Sequence, residues 1–451
     1  MTAEVTTSAA QSAHCGLPDY DRFLRLAMSG VARTRTPAAD FEPLFELPAP
    51  GPELARFLSA ASLRFAGMGE VRGTRLILLD LMSHPGTRTV KTLASHVIVA
   101  RAVRHVRATG EPVMIVTPSS ANKATALRDA VARAYALQLA DPDQLRITTL
   151  VPDASRPKLW SSELTARPGL LRRNPMCVLD PSQPAHVKSV ALDAVTACRD
   201  AVFAQTGFRL WHTLDLGNYR CADAVRAWAE NVMAPPVPGR TRAHAHAVSS
   251  AFGLLGHAYG GTLLEDAPEP GQYFLVQHLA TPDMVLSLHG AAIPEYRHDP
   301  VSGLYHQQDD PRFPATTFAV DEDLEPTFYT RSPATSPEMN EIINRQGGGG
   351  IVVSLHECLS RYPEVRGLLL NAGVELPADP RALREWSLVM AMTGVLNALD
   401  RGLIKADEVV VHASGSYTAA DYTPIPDEAL RPVADAAGLA EVITAAAGEP
   451  A

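Results

Sequence analysis

The chain has 451 residues, of which 46% are hydrophobic and 20% are charged, and its formal net charge is −9. This length exceeds the usual size of a single hydrophobic core and predicts two domains. The acidic balance argues against a nucleic-acid partner, which would require a basic face. No apolar stretch reaches the roughly 18 residues that a membrane-spanning helix requires, so no membrane partner is expected.

Cysteine usage and the N-terminal residues indicate a compartment. The five cysteines, at positions 15, 177, 198, 221 and 358, have neither CxxC spacing nor the spacing of metal ligands. They are typical of reduced thiols. Residues 1–16 have no basic segment followed by an apolar one, which predicts that they are not a secretion signal. The sequence therefore predicts a cytoplasmic protein.

Short apolar strands alternate with amphipathic helices along the chain. In chain order, the pattern predicts a helix at 20–29, a strand at 76–79, a helix at 95–109, a strand at 113–116, a helix at 123–138, strands at 146–151 and 176–179, and a helix at 186–202. Strands at 244–248, 273–276, 351–353 and 408–413 follow, with helices at 355–361 and 381–401 and an Ala-rich helical tail. Such alternation is typical of an α/β fold with a mainly parallel sheet.

Three polar segments lie where predicted strands end. Lys91 follows a strand and a turn-rich stretch, 83–87, and Ser414 follows the strand at 409–411. Between a strand and a helix, residues 119–122 read Ser-Ser-Ala-Asn. Free N–H groups at a helix N-terminus suit a carboxylate, although Ser and Asn are also preferred there simply as helix caps. An amine, a polar turn and a distal hydroxyl are the parts of a pyridoxal phosphate (PLP) site.

These segments resemble the motifs of the fold type II PLP-dependent enzymes, especially threonine synthase and its cysteine synthase, serine racemase and dehydratase relatives. Their lysine motif, Pro-Thr-Gly-Ser-Phe-Lys, is similar to residues 84–91, His-Pro-Gly-Thr-Arg-Thr-Val-Lys. Their Ser-Ser-Gly-Asn resembles residues 119–122, and their final Ser-Gly or Thr-Gly is matched at 414–415. The chain departs from the family at Ala121, where the family has glycine, and at Val90, where it has an aromatic residue.

The resemblance implies a cofactor, a set of site residues and a domain organisation. The cofactor is PLP, and the family habit implies a homodimer. Lys91 is the Schiff-base residue and the general acid/base, Asn122 holds the PLP hydroxyl, and Ser414 faces the pyridine nitrogen. The residues expected to contact the substrate are Ser119, Ser120 and Lys123. Residues 1–95 and 206–425 form a large PLP domain with an insertion at about 290–335, residues 96–205 form a small α/β domain, and residues 426–451 form a C-terminal tail.

A neutral hydroxyl opposite the pyridine nitrogen favours one kind of chemistry. Unlike a carboxylate, Ser414 does not enforce protonation of the ring, so the ring is a weaker electron sink. This favours β- or γ-elimination or replacement on a small amino acid, the work of a lyase or transferase. The alternative is a pseudoenzyme that binds PLP or an amino acid without turnover, and Ala121 and the altered lysine motif support that alternative.

Two segments are candidates for the phosphate site. Residues Ser249, Ser250, Ala251, Phe252 and Gly253 follow a strand and open a helix, the order that a phosphate loop requires. The run Gly347–Gly350 resembles the tetraglycine loop of serine racemase, but it leads directly into a strand. We expect the phosphate at 249–253, with Gly347–Gly350 as the alternative.

Three histidines and one glutamate also stand out in the sequence. His244 and His246 share one face of a predicted strand, with His257 nearby, but no third acid or cysteine has fitting spacing, so no metal site is predicted. Glu375 matches a family acid near the final helix.

Overall fold

Two mainly parallel sheets organise the chain in the computed structural model, which describes residues 13–34, 40–179, 186–265, 269–328 and 330–450. Residues 1–12, most of the segment predicted not to be a secretion signal, lie outside the described residues. Within the described residues, no helix combines the length and the apolar character that crossing a membrane demands.

The strands in chain order are β1 (Ala13–Gly16), β2 (Ser62–Val71), β3 (Thr74–Asp80), β4 (Val113–Pro118), β5 (Leu145–Pro152), β6 (Met176–Leu179), β7 (Arg209–His212), β8 (Arg242–Ala247), β9 (Gln272–His278), β10 (Arg297–Asp299), β11 (Leu304–His306), β12 (Thr316–Thr317), β13 (Gly348–Val353), β14 (Leu383–Glu385), β15 (Glu408–Ala413), β16 (Tyr417–Thr418) and β17 (Leu430–Val433). The α-helices are α1 (Asp21–Thr34), α2 (Pro52–Leu58), α3 (Lys91–Thr109), α4 (Asn122–Ala136), α5 (Glu163–Ala166), α6 (Pro168–Arg173), α7 (His186–Thr206), α8 (Leu216–Met233), α9 (Phe252–Gly261), α10 (Asp283–His289), α11 (Ser336–Gln346), α12 (Leu355–Asn371), α13 (Ser387–Asp400) and α14 (Ala436–Gly448).

The larger sheet has seven strands in the order β1-β2-β3-β15-β8-β9-β13. Its strands from β3 to β13 pair in parallel, while β1 and β2 add an antiparallel edge. Helices cover both faces, as a parallel sheet requires. In β15, for example, Val410 packs into the core on one face and Val409 and Val411 into the core on the other. The prediction of an α/β fold with mainly parallel sheets is therefore confirmed.

The smaller sheet has five parallel strands in the order β17-β6-β5-β4-β7. Two of its strands come from outside the predicted small domain, residues 96–205. Strand β7 follows that range, and β17 belongs to the predicted tail, 426–451. Helix α14 of the same tail packs against α7 through Leu439 and Ile443. Residues 430–448 are thus a structural part of the smaller sheet layer, because an apolar strand and helix face need a partner to be buried.

The predicted insertion at 290–335 contains its own secondary structure. Strands β10, β11 and β12 form a three-stranded antiparallel sheet. Backbone contact ties this region to the large sheet, because the N–H of Val352 in β13 donates to the carbonyl of Arg312 at 2.8 Å. The end of the insertion then runs towards the cleft between the two sheets.

Candidate active site

A cavity of about 270 Å³ lies between the two sheets, where β8 and β15 of one sheet and β4 of the other end. Ligands of parallel α/β sheets bind at this carboxyl edge. Its wall includes all the residues that the sequence predicts for the site, namely Lys91, Ser119, Ser120, Asn122, Lys123, Ser249, Ser250, Ala251, Phe252, Gly253 and Ser414. Four segments that are far apart in sequence therefore converge on one cavity.

Lys91 is the first residue of α3, and its amine faces the ring of Tyr219 at 5.7 Å from the centroid. Burial lowers the pKa of the Lys91 amine, although the nearby carboxylate of Asp223 opposes that shift. A lysine with a lowered pKa has a larger neutral fraction, and the neutral amine is the form that attacks a carbonyl carbon. Lys91 is thus chemically suited to covalent attachment of an aldehyde.

The segment 119–122 contains a backbone conformation that is usual for glycine but is adopted here by alanine. Ala121 has φ 136°, a region that residues with a side chain rarely adopt. The hydroxyl of Ser119 accepts hydrogen bonds from the N–H groups of Ala121 and Ala124 at 3.1 and 3.0 Å. The Ser119 side chain therefore acts as a helix cap, as the alternative reading of this segment expected. Its two hydrogen bonds fix the turn at the start of α4.

The amide of Asn122 is held from both ends. Its Nδ2 donates to the carboxylate of Glu385 at 2.7 Å, and its Oδ1 accepts from the hydroxyl of Tyr417 at 2.8 Å. The second hydrogen of Nδ2 stays available to a ligand, since an amide nitrogen has two. These contacts orient Asn122 in the cavity wall.

Lys123 is a second buried amine in the cavity. Its Nζ donates to the carbonyl of Thr213 at 2.5 Å and lies 5.8 Å from the centroid of the Tyr219 ring. Burial and the positive charges of Lys91 and Lys188 lower the pKa of Lys123 to about 7. The cavity therefore holds two amines, at 5.7 and 5.8 Å from the centroid of the Tyr219 ring, that lose protons more easily than exposed lysines.

A buried acid faces the cavity from β14. Glu385 accepts hydrogen bonds from Ser387 at 2.6 Å and from Lys158 at 2.9 Å, and Lys158 also contacts Glu325 of the insertion at 2.6 Å. Burial alone would raise the pKa of Glu385, but the charge of Lys158 holds that pKa below its usual value. Glu375, which the sequence matched to a family acid, is exposed and does not line the cavity. The acids in the cavity wall are Glu385 and Asp223.

The loop 249–253 forms the opposite wall. Ala251 adopts a left-handed conformation with φ 50° and caps the start of α9. The ring of Phe252 stacks on Tyr219 with 4.6 Å between centroids. The loop therefore presents the N-terminus of a ten-residue helix to the cavity.

The alternative phosphate segment lies elsewhere. Gly348, Gly349 and Gly350 begin β13 and pair in parallel with β9 at the edge of the larger sheet. A side chain at Gly348 would clash with the carbonyl of Tyr273, because its Cβ would come within 1.8 Å of that oxygen. Close strand pairing explains this glycine, and the run does not line the cavity.

Helix α8 carries a polar stripe that the sequence analysis missed. Tyr219, Asp223, Arg226 and Glu230 follow one another at the i, i+4, i+7 and i+11 positions of an otherwise largely apolar, buried helix. The first three line the cavity, and Glu230 lines a second cavity of about 440 Å³ on the far side. Polar residues at helical spacing within an apolar stretch were the signal that could have identified them.

Four histidines lie beyond this stripe, in the core of the larger sheet. His412 Nδ1 faces Nη1 of Arg226 at 3.3 Å, and its Nε2 faces Nδ1 of His244 at 3.2 Å. Since arginine can only donate, His412 accepts at Nδ1 and donates from Nε2 to His244. The remaining two are His246, which stacks on His412, and His257, which bonds to Glu230.

Three of these imidazoles offer nitrogens within 4.8 Å of one another: His244, His257 and His412. The sequence expected no metal site because a further ligand was lacking, and His412 comes from a different strand. Metal coordination at Nε2 of His412 would put a proton on Nδ1, against the Arg226 donor. Burial lowers the pKa of His244 to about 3, so the imidazole is neutral and its hydrogen bonds explain the cluster.

Several buried polar atoms around the cavity have no hydrogen-bond partner among the described residues. They are Oγ1 of Thr89, Nε of Arg226, Nε2 of His246 and Oγ of Ser414. Unpaired buried polar groups are rare and costly in native proteins, so each calls for an explanation. Their common position in the wall of one cavity indicates a polar ligand there.

The fold is that of the fold type II PLP-dependent enzymes. The structure is similar to a PLP-bound threonine synthase from Brucella melitensis, with a TM-score of 0.53 and 12% sequence identity over 94% of this chain and 89% of that one. It is also similar to threonine synthase from yeast, with a TM-score of 0.51 and 11% identity over 94% and 88% of the two chains.

Within this structural class, the chain belongs to the family of unknown function DUF6002, whose model matches residues 13–447. No curated protein matches the chain.

Proposed function

We propose that this protein is a PLP-dependent lyase or transferase that catalyses β- or γ-elimination or replacement on a small amino acid, with Lys91 as the attachment and acid/base residue. One observation carries the proposal. The unpaired hydroxyl of Ser414 and the amine of Lys91 line one cavity and belong to segments joined by a backbone hydrogen bond from Val90 to Ser414.

The residues present fit the cofactor. Lys91 offers an amine of lowered pKa, and Asn122 offers an N–H hydrogen to a phenolic oxygen. Ser414 offers a buried hydroxyl that has no partner in the described part of the chain and would be satisfied by a ring nitrogen. The N-terminus of α9 offers backbone N–H groups to the phosphate.

Bound PLP would supply an electron sink for the bond broken at the substrate Cα. Lys91 would take the proton from Cα and return a proton to the leaving group or product. The hydroxyl of Ser414 carries no charge, so it does not hold a proton on the ring nitrogen, and elimination or replacement is favoured over transamination. The turn at 119–122 would bind the substrate carboxylate through backbone N–H groups, with Lys123 beside it.

The end of the insertion closes the cavity. Thr327, Phe328 and Thr330 line it, and Thr281 holds the carbonyl of Phe328 at 2.6 Å. The buried contact of Glu325 with Lys158 anchors the same segment to the small-sheet side. These contacts would exclude water from the reacting atoms, which a reactive elimination product requires.

The test is attachment of the cofactor. The purified protein is loaded with PLP, reduced with borohydride and digested, and the modified peptide is identified by mass spectrometry. We expect a visible absorbance band before reduction and modification of Lys91 alone. Lys91→Ala removes the band, whereas the exposed control Lys405→Ala keeps it. Modification that persists in Lys91→Ala would refute the role of Lys91, and a protein that takes up no PLP would refute the proposal.

The geometry of Ala121 supports one second candidate, a pseudoenzyme that binds PLP or an amino acid without turnover. Its φ of 136° places a Cβ where the related enzymes have glycine, next to the proposed carboxylate site. A shift of the absorbance band on addition of amino acids, without release of any product, would favour this candidate. Release of ammonia, or exchange of a β or γ substituent of activated serine or homoserine derivatives, would favour the enzyme. The homodimer remains a prediction, which sedimentation measurements can check.

A further inference from the structure

Arg226 is a buried cation at the loop 249–253. Only 3% of the residue is exposed, and it lines the cavity. Its guanidinium lies directly against Gly253, because a Cβ at that position would be 2.6 Å from Nη1 and 2.8 Å from Nη2. Glycine at 253 is therefore what lets the guanidinium reach the first turn of α9.

The hydrogen-bonding groups of Arg226 are only partly used. Nη2 donates to the carboxylate of Asp223, and Nη1 donates to His412. Nε is buried and has no partner among the described residues. A guanidinium has five N–H donors, and leaving one buried and unpaired is costly. Asp223 and His412 thus orient the side chain, while part of its donor set remains for a ligand.

The surroundings favour an anion of more than one charge. The N-terminus of α9 has a positive dipole end, which attracts anions. Burial and the charge of Arg226 lower the pKa of His246, so this imidazole is neutral and the charge beside the loop comes from Arg226. Asp223 is the carboxylate that contacts the Arg226 guanidinium, and the Lys91 amine is nearby. The charge of Arg226 and the positive end of the α9 dipole therefore act together at the loop.

We infer that Arg226 binds the phosphate group of the cofactor, together with the first turn of α9. The inference rests on the proposed function and adds a charged side chain to a site that backbone N–H groups alone would otherwise form. Arginine suits this role because its planar donors match phosphate oxygens. Asp223 and His412 act as positioning residues, since they hold the guanidinium against Gly253.

The experiment compares PLP with pyridoxal, which lacks the phosphate, in wild-type protein and in Arg226→Gln. Loss of a charge-assisted contact predicts PLP binding about 10- to 100-fold weaker in Arg226→Gln, with pyridoxal binding changed less than about threefold. Arg226→Lys keeps the charge and should bind PLP with an intermediate affinity. Arg220→Gln is the matched control, because Arg220 lies on the same helix in a partly exposed pair with Glu338.

Inorganic phosphate gives a second readout that needs no cofactor chemistry. Millimolar phosphate should raise the melting temperature of the wild-type protein and of Arg220→Gln, but not that of Arg226→Gln. Equal losses of PLP and pyridoxal binding, or unchanged PLP binding, would overturn the inference. If Arg226→Gln fails to fold, the ratio of PLP affinity to pyridoxal affinity is compared between Arg226→Lys and the wild-type protein. A lower ratio in Arg226→Lys supports the inference, and an unchanged ratio overturns it. A wild-type protein that binds phosphate but not PLP would refute the proposed function and leave the anion site standing.

Discussion

The backbone N–H of Val90 donates to the carbonyl oxygen of Ser414 at 2.9 Å. Next to this contact, Thr89 pairs with Gly415 as an antiparallel bridge. The N–H of Ser416 donates to the carbonyl oxygen of Arg88 at 3.3 Å. The turn that leads to Lys91 is therefore pinned to the end of β15 by main-chain bonds. The relative positions of the amine and the Ser414 hydroxyl depend on backbone pairing more than on side-chain packing.

The unpaired hydroxyl of Ser414 leads to a prediction about Ser414→Ala. Because Oγ has no partner among the described residues, its removal should change the free energy of unfolding of the cofactor-free protein by less than about 0.5 kcal/mol. PLP binding should weaken by about 1 kcal/mol, the net value of one hydrogen bond. Titration with PLP and urea unfolding measure the two effects, with Ser416→Ala as the control. Clear destabilisation without weaker PLP binding would show that the hydroxyl is structural.

The backbone of Ala121 predicts that Ala121→Gly is stabilising. At φ 136° an alanine is strained, and glycine adopts this conformation freely. We expect a gain of about 1 kcal/mol or more in the free energy of unfolding, measured in urea. The control is Ala124→Gly at the third residue of α4, which should destabilise by about 1 kcal/mol. Destabilisation by both variants would mean that the turn does not hold this conformation in solution.

Lys123 predicts a pH dependence of stability. The pKa of its amine is about 7 in the folded protein and about 10.4 in an unfolded chain. Between pH 7 and 10 the unfolded chain thus binds more protons at this residue, so its contribution to stability rises with pH. The slope is at most about 1.4 kcal/mol per pH unit.

The measurement is the free energy of unfolding at several pH values, taken as the difference between wild type and Lys123→Met. This difference removes the shared contribution of groups that do not interact with Lys123. The exposed control Lys405→Met should leave the slope unchanged. A flat difference across this range would show that the Lys123 amine stays charged in the fold.

Lys158 is predicted to stabilise the folded protein by compensating the buried carboxylates of Glu325 and Glu385. Burial and the charge of Glu385 raise the pKa of Glu325, and Lys158 contacts both acids. Lys158→Met should therefore destabilise the protein by about 3–5 kcal/mol at neutral pH. The loss should shrink as the pH falls towards the ordinary carboxyl pKa of about 4.3, because protonated acids no longer need the cation.

The matched double variant is Lys158→Met with Glu325→Gln, which removes one of the two uncompensated charges. It should recover part of the lost stability in urea unfolding experiments at neutral pH. A loss for Lys158→Met that does not depend on pH would indicate a packing defect instead of unpaired charge.

Local patterns predicted the main elements well because parallel strands and their helices are marked by continuous apolar runs and helical spacing. Strand β15 and helix α4, for example, lie within two residues of the predicted ranges 408–413 and 123–138. Strand β2 was not predicted, since its Gly-containing sequence has few apolar residues in a row, and it owes its place to pairing with β3. The closing strand β17 was also not predicted, because it has only four residues and depends on pairing with β6.

Local sequence was a poorer guide wherever a residue acts through a distant partner. Glu375 and Glu385 are both acids near the last helix, and only burial beside Lys158 and Asn122 distinguishes them. The four-glycine run looked like a loop, but close pairing of Gly348 with Tyr273 makes it a strand. Arg226 carried no motif, because its partners His412 and Gly253 come from other elements.

The α/β fold and the polar residues at the strand ends follow from the amino-acid sequence, because hydrophobic periodicity and turn composition are local properties. Which of those residues meet was decided by the tertiary structure alone. Lys91, Asn122 and Ser414 share a cavity because parallel strands that are distant in sequence end at one edge. The pKa values of Lys91 and Glu385 depend on burial and on neighbouring charges such as Asp223 and Lys158. No single segment of the sequence specifies that environment.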